Sequence, residues 1–309
     1  MNYTTERKNG FYLVRNAGGK DLGMSELQLK EADGYAFKNL SGTAELLPYE
    51  DWRLSPEERA KDLASRLTVE EIAGLMMYSS HQMVPFGSGM PFRATYGGKT
   101  FEESGAKAWD LTDQQKKFLT EDHLRHVLVM LLKDAQTAAR WNNELQAFAE
   151  QLPHGLPVNI SSDPRNGAAS AGAEYKSGGG QTSTWPEGLG IAATFDPKLC
   201  RDYARVIARE YRALRITTAL SPQVDVGTEP RWLRIADTFG AHPGLVADMG
   251  RAYCDGMQSD PDCGQGWGPG SVSTMAKHWP GGGPCEAGRD AHYPCGKFAV
   301  HPGGSQAEH

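Results

Sequence analysis

The sequence predicts an α/β fold in which short apolar strands alternate with helices. Strands are predicted near residues 156–160, 217–226 and 272–276, and each is preceded by a helix. Polar side chains follow every one of these strands. Polar groups at the carboxyl ends of parallel strands are typical of barrels, so we expect a (β/α)8, TIM-barrel-like domain.

The first part of the chain divides into an arm and a helical region. Residues 1–50 have weak periodicity and scattered glycines, so we expect an irregular N-terminal arm before a barrel domain over residues 51–309. Capping boxes begin at Ser55, Thr68 and Thr112, each with Glu or Gln three residues later. This spacing lets the two side chains cap each other's backbone amides, and it predicts three helix starts.

The second part of the chain carries the longer helices. A helix over 134–152 has apolar residues at helical spacing, and Asp196 with Pro197 marks the start of another helix that extends to Leu214. A helix over 243–257 begins without a recognisable cap. The segment 167–183, rich in glycine and serine, and the glycine-rich chain after residue 256 predict loops.

Charge and composition limit the classes of partner. The net charge is −6 at pH 7, which argues against nucleic acid and anionic membranes as partners. The chain contains no long apolar run, and residues 1–22 lack the apolar core of a signal peptide, so we expect a cytoplasmic protein. Five cysteines at irregular spacings form no C-x-x-C pair. We expect neither a metal site nor a cofactor.

Charged side chains of both signs follow the three predicted strands. They are Asp163, Asp225, Arg231, Arg234, Lys277 and His278. Carboxylates accept and cations donate hydrogen bonds, so together they suit a polyhydroxylated small molecule. In an alternative interpretation, Arg234 merely pairs with Asp225 and His278 is a buried structural histidine. In the segment from Lys277 to Gly283, two adjacent cationic donors precede an aromatic residue and three glycines. Two such donors are costly without a polar partner, so this segment favours a ligand site.

Several motifs resemble glycoside hydrolase family 3, a family of retaining β-glucosidases, β-xylosidases and β-N-acetylglucosaminidases. The motifs are Ala60–Glu71, Asn143–Gln146, Gly155–Val158, Thr184–Pro186, Ser221–Val226, Pro230–Arg234 and Lys277–Gly281. They stand in the family's order and cover roughly residues 50–300. The resemblance implies the family's N-terminal barrel domain.

The resemblance also implies a sugar subsite. Asp163 matches the family's aspartate that binds hydroxyls of the terminal sugar, Arg234 matches the arginine of its Pro-Arg-Trp-Gly-Arg segment, and Lys277 and His278 match its lysine–histidine pair. The surrounding loop departs from the family pattern. Leu233 replaces a glycine, Asp237 replaces a glutamate, and Ala241-His242 replaces an acidic pair.

The implied activity is that of an exo-acting, retaining β-glycosidase that releases the non-reducing-end sugar without a cofactor. The resemblance favours a β-glucosidase, with β-xylosidase and β-N-acetylglucosaminidase as alternatives. The family's nucleophile lies in a Ser-Asp-Trp segment, but tryptophan follows neither Ser162-Asp163 nor Ser259-Asp260. The resemblance therefore implies that the chain stops before the nucleophile and that the barrel is incomplete in its last strands. The catalytic residues are unassigned. A catalytically incompetent sugar-binding fragment, with open sheet edges that invite self-association, is the alternative.

One branch of the family, the single-domain β-N-acetylglucosaminidases, uses an Asp-x-His pair shortly after the lysine–histidine motif. Asp290 and His292 occupy a comparable place. The intervening loop is longer here, Gly282 replaces the branch's histidine, and Ala291 replaces its hydroxyl residue. We therefore favour a role for Asp290 and His292 in lining the sugar subsite over a role in catalysis.

Overall fold

A computed structural model describes residues 1–87, 94–164, 166–167, 182–264 and 266–309. The chain forms two compact units. Unit 1 comprises residues 1–80, 86–127 and 140–158, and unit 2 comprises residues 81–85, 128–139 and 159–309. Most of the predicted loop at 167–183 lies outside the described residues. Within them, no helix is both long and apolar enough to span a bilayer.

The N-terminal part of unit 1 is a pair of small β-sheets, so the prediction of an irregular arm is wrong. An antiparallel sheet contains β1 (Tyr3–Lys8), β2 (Phe11–Asn16) and β3 (Leu22–Met24) in that order. A hairpin contains β4 (Leu29–Ala32) and β5 (Tyr35–Lys38).

The signal for these strands lies in the turns. Asn9-Gly10 joins β1 to β2 and Asp33-Gly34 joins β4 to β5, and all four residues have positive φ. Positive φ at both central residues defines the tight hairpin turn that Asn-Gly and Asp-Gly favour. A small core of Val14, Met24 and Ala36 is buried behind the strands. Weak alternation obscured the strands, but the two turn dipeptides could have revealed them.

Three helices of unit 1 begin where the capping boxes predict: α1 (Pro56–Ala64), α2 (Val69–Leu75) and α4 (Asp113–Thr120). Between α2 and α4 lies a short helix that the sequence analysis did not predict, α3 (Phe101–Ser104). In α1, the Glu58 amide donates to Ser55 Oγ at 3.2 Å while the Ser55 amide donates to the Glu58 carboxylate at 3.0 Å. Thr68 with Glu71 caps α2 in the same reciprocal way. The next helix along the chain, α5 (Ala135–Glu150), confirms the prediction at 134–152.

A buried ion pair holds the segment between β5 and α1. The Lys30 ammonium donates to the Glu50 carboxylate, to Ser41 Oγ at 2.7 Å and to the Glu45 carbonyl at 2.6 Å. Backbone amides of residues 40, 41 and 47 donate to the same carboxylate. Burial alone would raise the pKa of Glu50, but these hydrogen bonds outweigh it and hold the pKa below its usual value.

Unit 2 contains a parallel sheet with the order β10-β9-β8-β7-β6. Its strands are β6 (Gln82–Val84), β7 (His126–Leu132), β8 (Asn159–Ser162), β9 (Thr218–Ala219) and β10 (Ser273–Thr274). The first two residues of β7 belong to unit 1. The sheet is open, with β6 and β10 at its edges among the described residues.

The bounds of β8, β9 and β10 differ from the predicted strands, and proline accounts for the late start of β8 and the early end of β9. Pro157 precedes β8, and Pro222 follows β9 within the predicted strand 217–226. Proline has no amide hydrogen to donate to a neighbouring strand, so it lies outside regular pairing. The predicted alternation of strand and helix is nevertheless confirmed.

The helices of unit 2 are α6 (Gly188–Ala192), α7 (Pro197–Ala213) and α8 (Pro243–Gln258). Asp196 caps α7, as predicted. The expectation that α8 lacks a cap is wrong, because His242 Nδ1 accepts from the Leu245 amide at 3.2 Å. Histidine is not one of the common capping residues. Gly256 permits close packing of α8 on α7, since a Cβ there would lie 2.4 Å from the Arg201 carbonyl oxygen.

Replacement of Lys30 tests the buried ion pair. In Lys30→Met, the Glu50 carboxylate stays buried without its cation, so we expect a loss of about 3–5 kcal/mol in the free energy of unfolding. Urea denaturation at pH 7 measures it. Lys8→Met, at an exposed position in β1, is the control and should have little effect. Equal midpoints for the two variants would contradict this role of the ion pair.

Candidate functional site

Five of the six charged residues that follow the predicted strands lie together at the carboxyl ends of β8, β9 and β10, within unit 2. Asp163 directly follows β8. After β9 and β10 the two chains stay paired, because the Val224 amide donates to the Lys277 carbonyl at 2.8 Å and the Lys277 amide donates to the Pro222 carbonyl at 3.0 Å. This extra pairing fixes the backbone that carries Lys277 and His278, which are joined by a cis peptide bond.

Asp163 and Lys277 form an ion pair, and both side chains are mostly buried. The pair borders a pocket of about 50 Å³ whose lining includes Glu187, Tyr203, Asp237, Phe239 and Tyr253. A volume of this size holds a few water molecules or hydroxyl groups. The pocket therefore has one acid–lysine pair at its edge and polar and aromatic walls.

His278 is held from behind by Asp225. The Asp225 side chain is 0% exposed, and its Oδ2 lies 3.0 Å from His278 Nδ1. Its other oxygen accepts the backbone amides of His278, at 3.2 Å, and of Gly282. Burial would raise the pKa of the Asp225 carboxyl, but the His278 and Gly282 hydrogen bonds outweigh it and hold the pKa below its usual value. Asp225 is therefore a buried carboxylate that fixes the loop and the imidazole.

The Arg234 guanidinium defines the tautomer of His278. Arg234 Nη1 lies 3.2 Å from His278 Nε2. A guanidinium only donates hydrogen bonds, so Nε2 must accept and the ring proton lies on Nδ1, facing Asp225. Arg234 Nη2 donates to Gln223 Oε1 at 2.8 Å. The alternative pairing of Arg234 with Asp225 is wrong, because Asp225 is occupied by His278.

Asp290 and His292 lie beside this group. His292 Nδ1 is 2.5 Å from Asp290 Oδ1, and the rings of His292 and His278 are 6.4 Å apart between centroids. Trp232 Nε1 donates to Asp290 Oδ2 at 2.7 Å. Burial would raise the pKa of Asp290, but hydrogen bonds from the His292 amide, the Trp232 indole and the His292 ring hold it below its usual value. His292 is 65% exposed and can reach a ligand.

The structure thus brings the residues predicted to line the sugar subsite into one cluster around Asp225; they are Asp163, Arg234, Lys277, His278, Asp290 and His292. Two further residues belong to the cluster. Gln223 and Trp232 are buried and hold Arg234 and Asp290 respectively. A signal existed for Gln223, because a buried amide in an apolar segment needs a partner. Arg231 is different, since it pairs with Glu229 through mostly exposed guanidinium contacts. It does not join the cluster.

Two glycines of the predicted loop allow the cluster to close. A Cβ at Gly283 would lie 1.8 Å from the Val226 carbonyl oxygen, and one at Gly282 would lie 3.1 Å from the Trp232 ring. Larger residues would push this loop away from Asp225. No group of three or more His, Cys, Asp or Glu that could hold a metal ion is found in the described ranges.

Enzymes with a (β/α) barrel have their active sites at the carboxyl ends of the strands. The paired charges of this cluster lie at that edge of the sheet. Residues 70–299 match the Glycosyl hydrolase family 3 N terminal domain, which is most of the chain. The chain therefore belongs to glycosyl hydrolase family 3.

Relatives and solved structures agree with this family. The chain is 40% identical over 269 residues to the periplasmic beta-glucosidase/beta-xylosidase of Dickeya chrysanthemi, covering 86% of this chain and 38% of the relative. It is 36% identical over 255 residues to beta-glucosidase C of Emericella nidulans, covering 82% and 37%. The chain thus spans less than two fifths of the length of these curated relatives.

A solved β-glucosidase from Erythrobacter marinus superposes with a TM-score of 0.57 at 22% identity, over 78% of this chain and 28% of that one. The β-glucosidase from Listeria innocua gives a TM-score of 0.53 at 23% identity, over 76% and 28%. At these identities the comparison concerns the fold alone. The fold is that of the family's N-terminal barrel domain, here with an open sheet.

Asp225→Asn tests the buried carboxylate through its pH dependence. A folded-state pKa below the ordinary value near 3.8 means that Asp225 stabilises the fold at higher pH and loses this effect as pH falls through the folded-state pKa. We expect the variant to unfold more easily at pH 7 and pH 5, by about 1–3 kcal/mol, and the difference from the parent chain to shrink by pH 3.

Urea denaturation followed by tryptophan fluorescence at the three pH values measures this difference. Asp248→Asn, at an exposed position of α8, is the matched control and should show little difference at any pH. If the difference in unfolding free energy between Asp225→Asn and the parent chain were as large at pH 3 as at pH 5, Asp225 would not be the stabilising carboxylate described here.

Proposed function

We propose that this cluster binds the non-reducing-end sugar of a β-linked glycoside, and that the protein is an exo-acting retaining β-glycosidase of the β-glucosidase type. The observation that carries the proposal is the joint placement of Asp163–Lys277 and Arg234–His278–Asp225 at one sheet edge. The names of the curated relatives, beta-glucosidase and beta-glucosidase/beta-xylosidase, support it.

The chemistry of the cluster matches a sugar. Each sugar hydroxyl donates one hydrogen bond and accepts others. We assign the Asp163 carboxylate as acceptor and the Lys277 ammonium as donor for neighbouring hydroxyls, with Arg234 as a second donor. The 50 Å³ pocket beside Lys277 has room for hydroxyl groups, so the ring would lie at its mouth. His278 and Asp225 orient Arg234 and the loop.

These residues have binding roles in the proposal. Retaining hydrolysis uses two carboxyl groups about 5–5.5 Å apart, one a nucleophile and one an acid and then base. Asp163 is ion-paired with Lys277, and Asp225 is fully buried behind His278. Both carboxylates are thus engaged by cationic or imidazole side chains of the site. The nucleophile and the acid/base are therefore not assigned to Asp163 or Asp225.

A second candidate is a β-N-acetylglucosaminidase, which the Asp290–His292 pair favours. The pair is hydrogen-bonded at 2.5 Å, and His292 is largely exposed. A carboxylate behind an imidazole can orient it for proton transfer. We rank this candidate second, because Trp232 also binds Asp290 and gives the pair a structural role in the loop.

Lys277→Ala tests the sugar site directly. We expect the parent chain to bind glucose and the variant to lose at least tenfold in affinity, because a charge-assisted hydrogen bond contributes about 1.5–3 kcal/mol. Calorimetric titration measures binding, and chromogenic aryl β-glucosides, β-xylosides and β-N-acetylglucosaminides measure turnover. Lys198→Ala, whose side chain is 77% exposed on α7, is the control.

Binding and turnover together distinguish a glycosidase from a sugar-binding fragment without catalytic activity, the sugar-binding module. Turnover that Lys277→Ala abolishes supports a glycosidase whose catalytic groups lie within these 309 residues. Binding without turnover supports the sugar-binding module. Unchanged sugar affinity in Lys277→Ala would overturn the assignment of the site.

His292→Ala distinguishes the two glycosidase candidates. For a β-glucosidase we expect a modest loss of sugar affinity, about two- to fivefold, since one hydrogen bond at the site's edge is removed. Asp290→Asn, which keeps the side-chain shape, is the companion variant. A chain that prefers N-acetylglucosaminides and loses turnover in both variants would reverse our ranking.

A further inference from the structure

Unit 1 contains a cavity that belongs to no part of the sugar site. It has a volume of about 150 Å³ and lies between α2, α4, the start of β7 and the chain that follows α5. Its apolar wall is formed largely by leucines: Leu67, Leu75, Leu119, Leu152 and Leu156. Leucine-lined cavities of about 150 Å³ hold a benzene ring in proteins.

A buried cation lines this cavity. Arg125 is 6% exposed. Its Nε donates to the Leu156 carbonyl at 3.2 Å, and its Nη1 donates to the Leu119 and Leu124 carbonyls at 2.9 and 2.8 Å. A guanidinium has five N–H donors, and these three hydrogen bonds use Nε and Nη1. Burial lowers the pKa of the Arg125 guanidinium and outweighs the opposing attraction of the Glu71 carboxylate.

An acceptor lines the same cavity. Glu71 caps α2 through one carboxylate oxygen, which accepts the Thr68 amide at 2.8 Å. Its other oxygen lies 3.6 Å from His154 Nε2, beyond hydrogen-bond distance. Glu71 and Arg125 form no direct salt bridge within the described ranges, although both line the cavity. The leucine-lined space thus has a charged donor, Arg125, and a charged acceptor, Glu71, in its wall, beside the polar side chains of Thr120 and His123.

The two charges select the ligand's polar group. An anion would approach Arg125 but would be repelled by Glu71, and a cation would face the reverse problem. A neutral hydroxyl can accept from Arg125 and donate to Glu71. We propose that this cavity binds a neutral phenol of one ring, with the ring among the leucines and the hydroxyl between Arg125 and Glu71. Phenols are also the leaving groups of aryl glycosides.

Ligand-observed NMR titration of the full chain with phenol, benzene and benzoate tests the proposal. We expect saturable binding of phenol, about five- to tenfold weaker binding of benzene, which lacks the hydroxyl, and weaker binding of benzoate than of phenol. Equal affinities for phenol and benzene, or tighter binding of benzoate, would overturn the proposed role of the two charges. Absence of saturable phenol binding would overturn the site.

Variants locate the binding. Arg125→Met should abolish the preference for phenol over benzene.

Because loss of Arg125 removes three hydrogen bonds and the variant could unfold, Leu75→Phe provides a second test. It fills part of the cavity, so we expect an unchanged or higher melting temperature with phenol binding lost. Leu27→Phe, at an exposed position of unit 1, is the control, and phenol binding that survives Leu75→Phe would place the site elsewhere. Sugar binding enters none of these readouts.

Discussion

The buried carboxylate of Asp225 is the interaction on which the candidate site depends. A charge with no exposure costs free energy unless several donors surround it. Here the donors are the ring and amide of His278 and the amide of Gly282. Because these donors belong to the chain after β10, the carboxylate ties that chain to the segment after β9. One buried acid thus determines the positions of both the imidazole and the glycine loop.

Asp225 also determines the hydrogen bonds that the neighbouring His278 and Arg234 form. With its proton on Nδ1, His278 offers its remaining lone pair to Arg234, and Gln223 holds the other end of the guanidinium. The residues of the free site therefore satisfy one another, as buried polar groups must. A ligand that binds at Asp163, Lys277 and Arg234 has to replace these hydrogen bonds with its own.

Local signals predicted the parts of the fold that local interactions control. The capping boxes at Ser55, Thr68 and Thr112 involve side chains three residues apart, so their outcome is visible in the sequence. The hairpin turns at Asn9-Gly10 and Asp33-Gly34 were equally local, but weak alternation in the flanking strands concealed them. The prolines at 157 and 222 likewise carried information about where strands end.

The sequence by itself determined which residue types follow each strand, namely carboxylates that accept hydrogen bonds and cations that donate them. Tertiary structure decided how the residues pair. Asp225 and His278 are 53 residues apart in the chain, and Asp225 could equally have paired with Arg234. Burial decides between these pairings. A carboxylate with no access to water has to accept its hydrogen bonds from protein donors, and the packing at the sheet edge determines which donors lie near it.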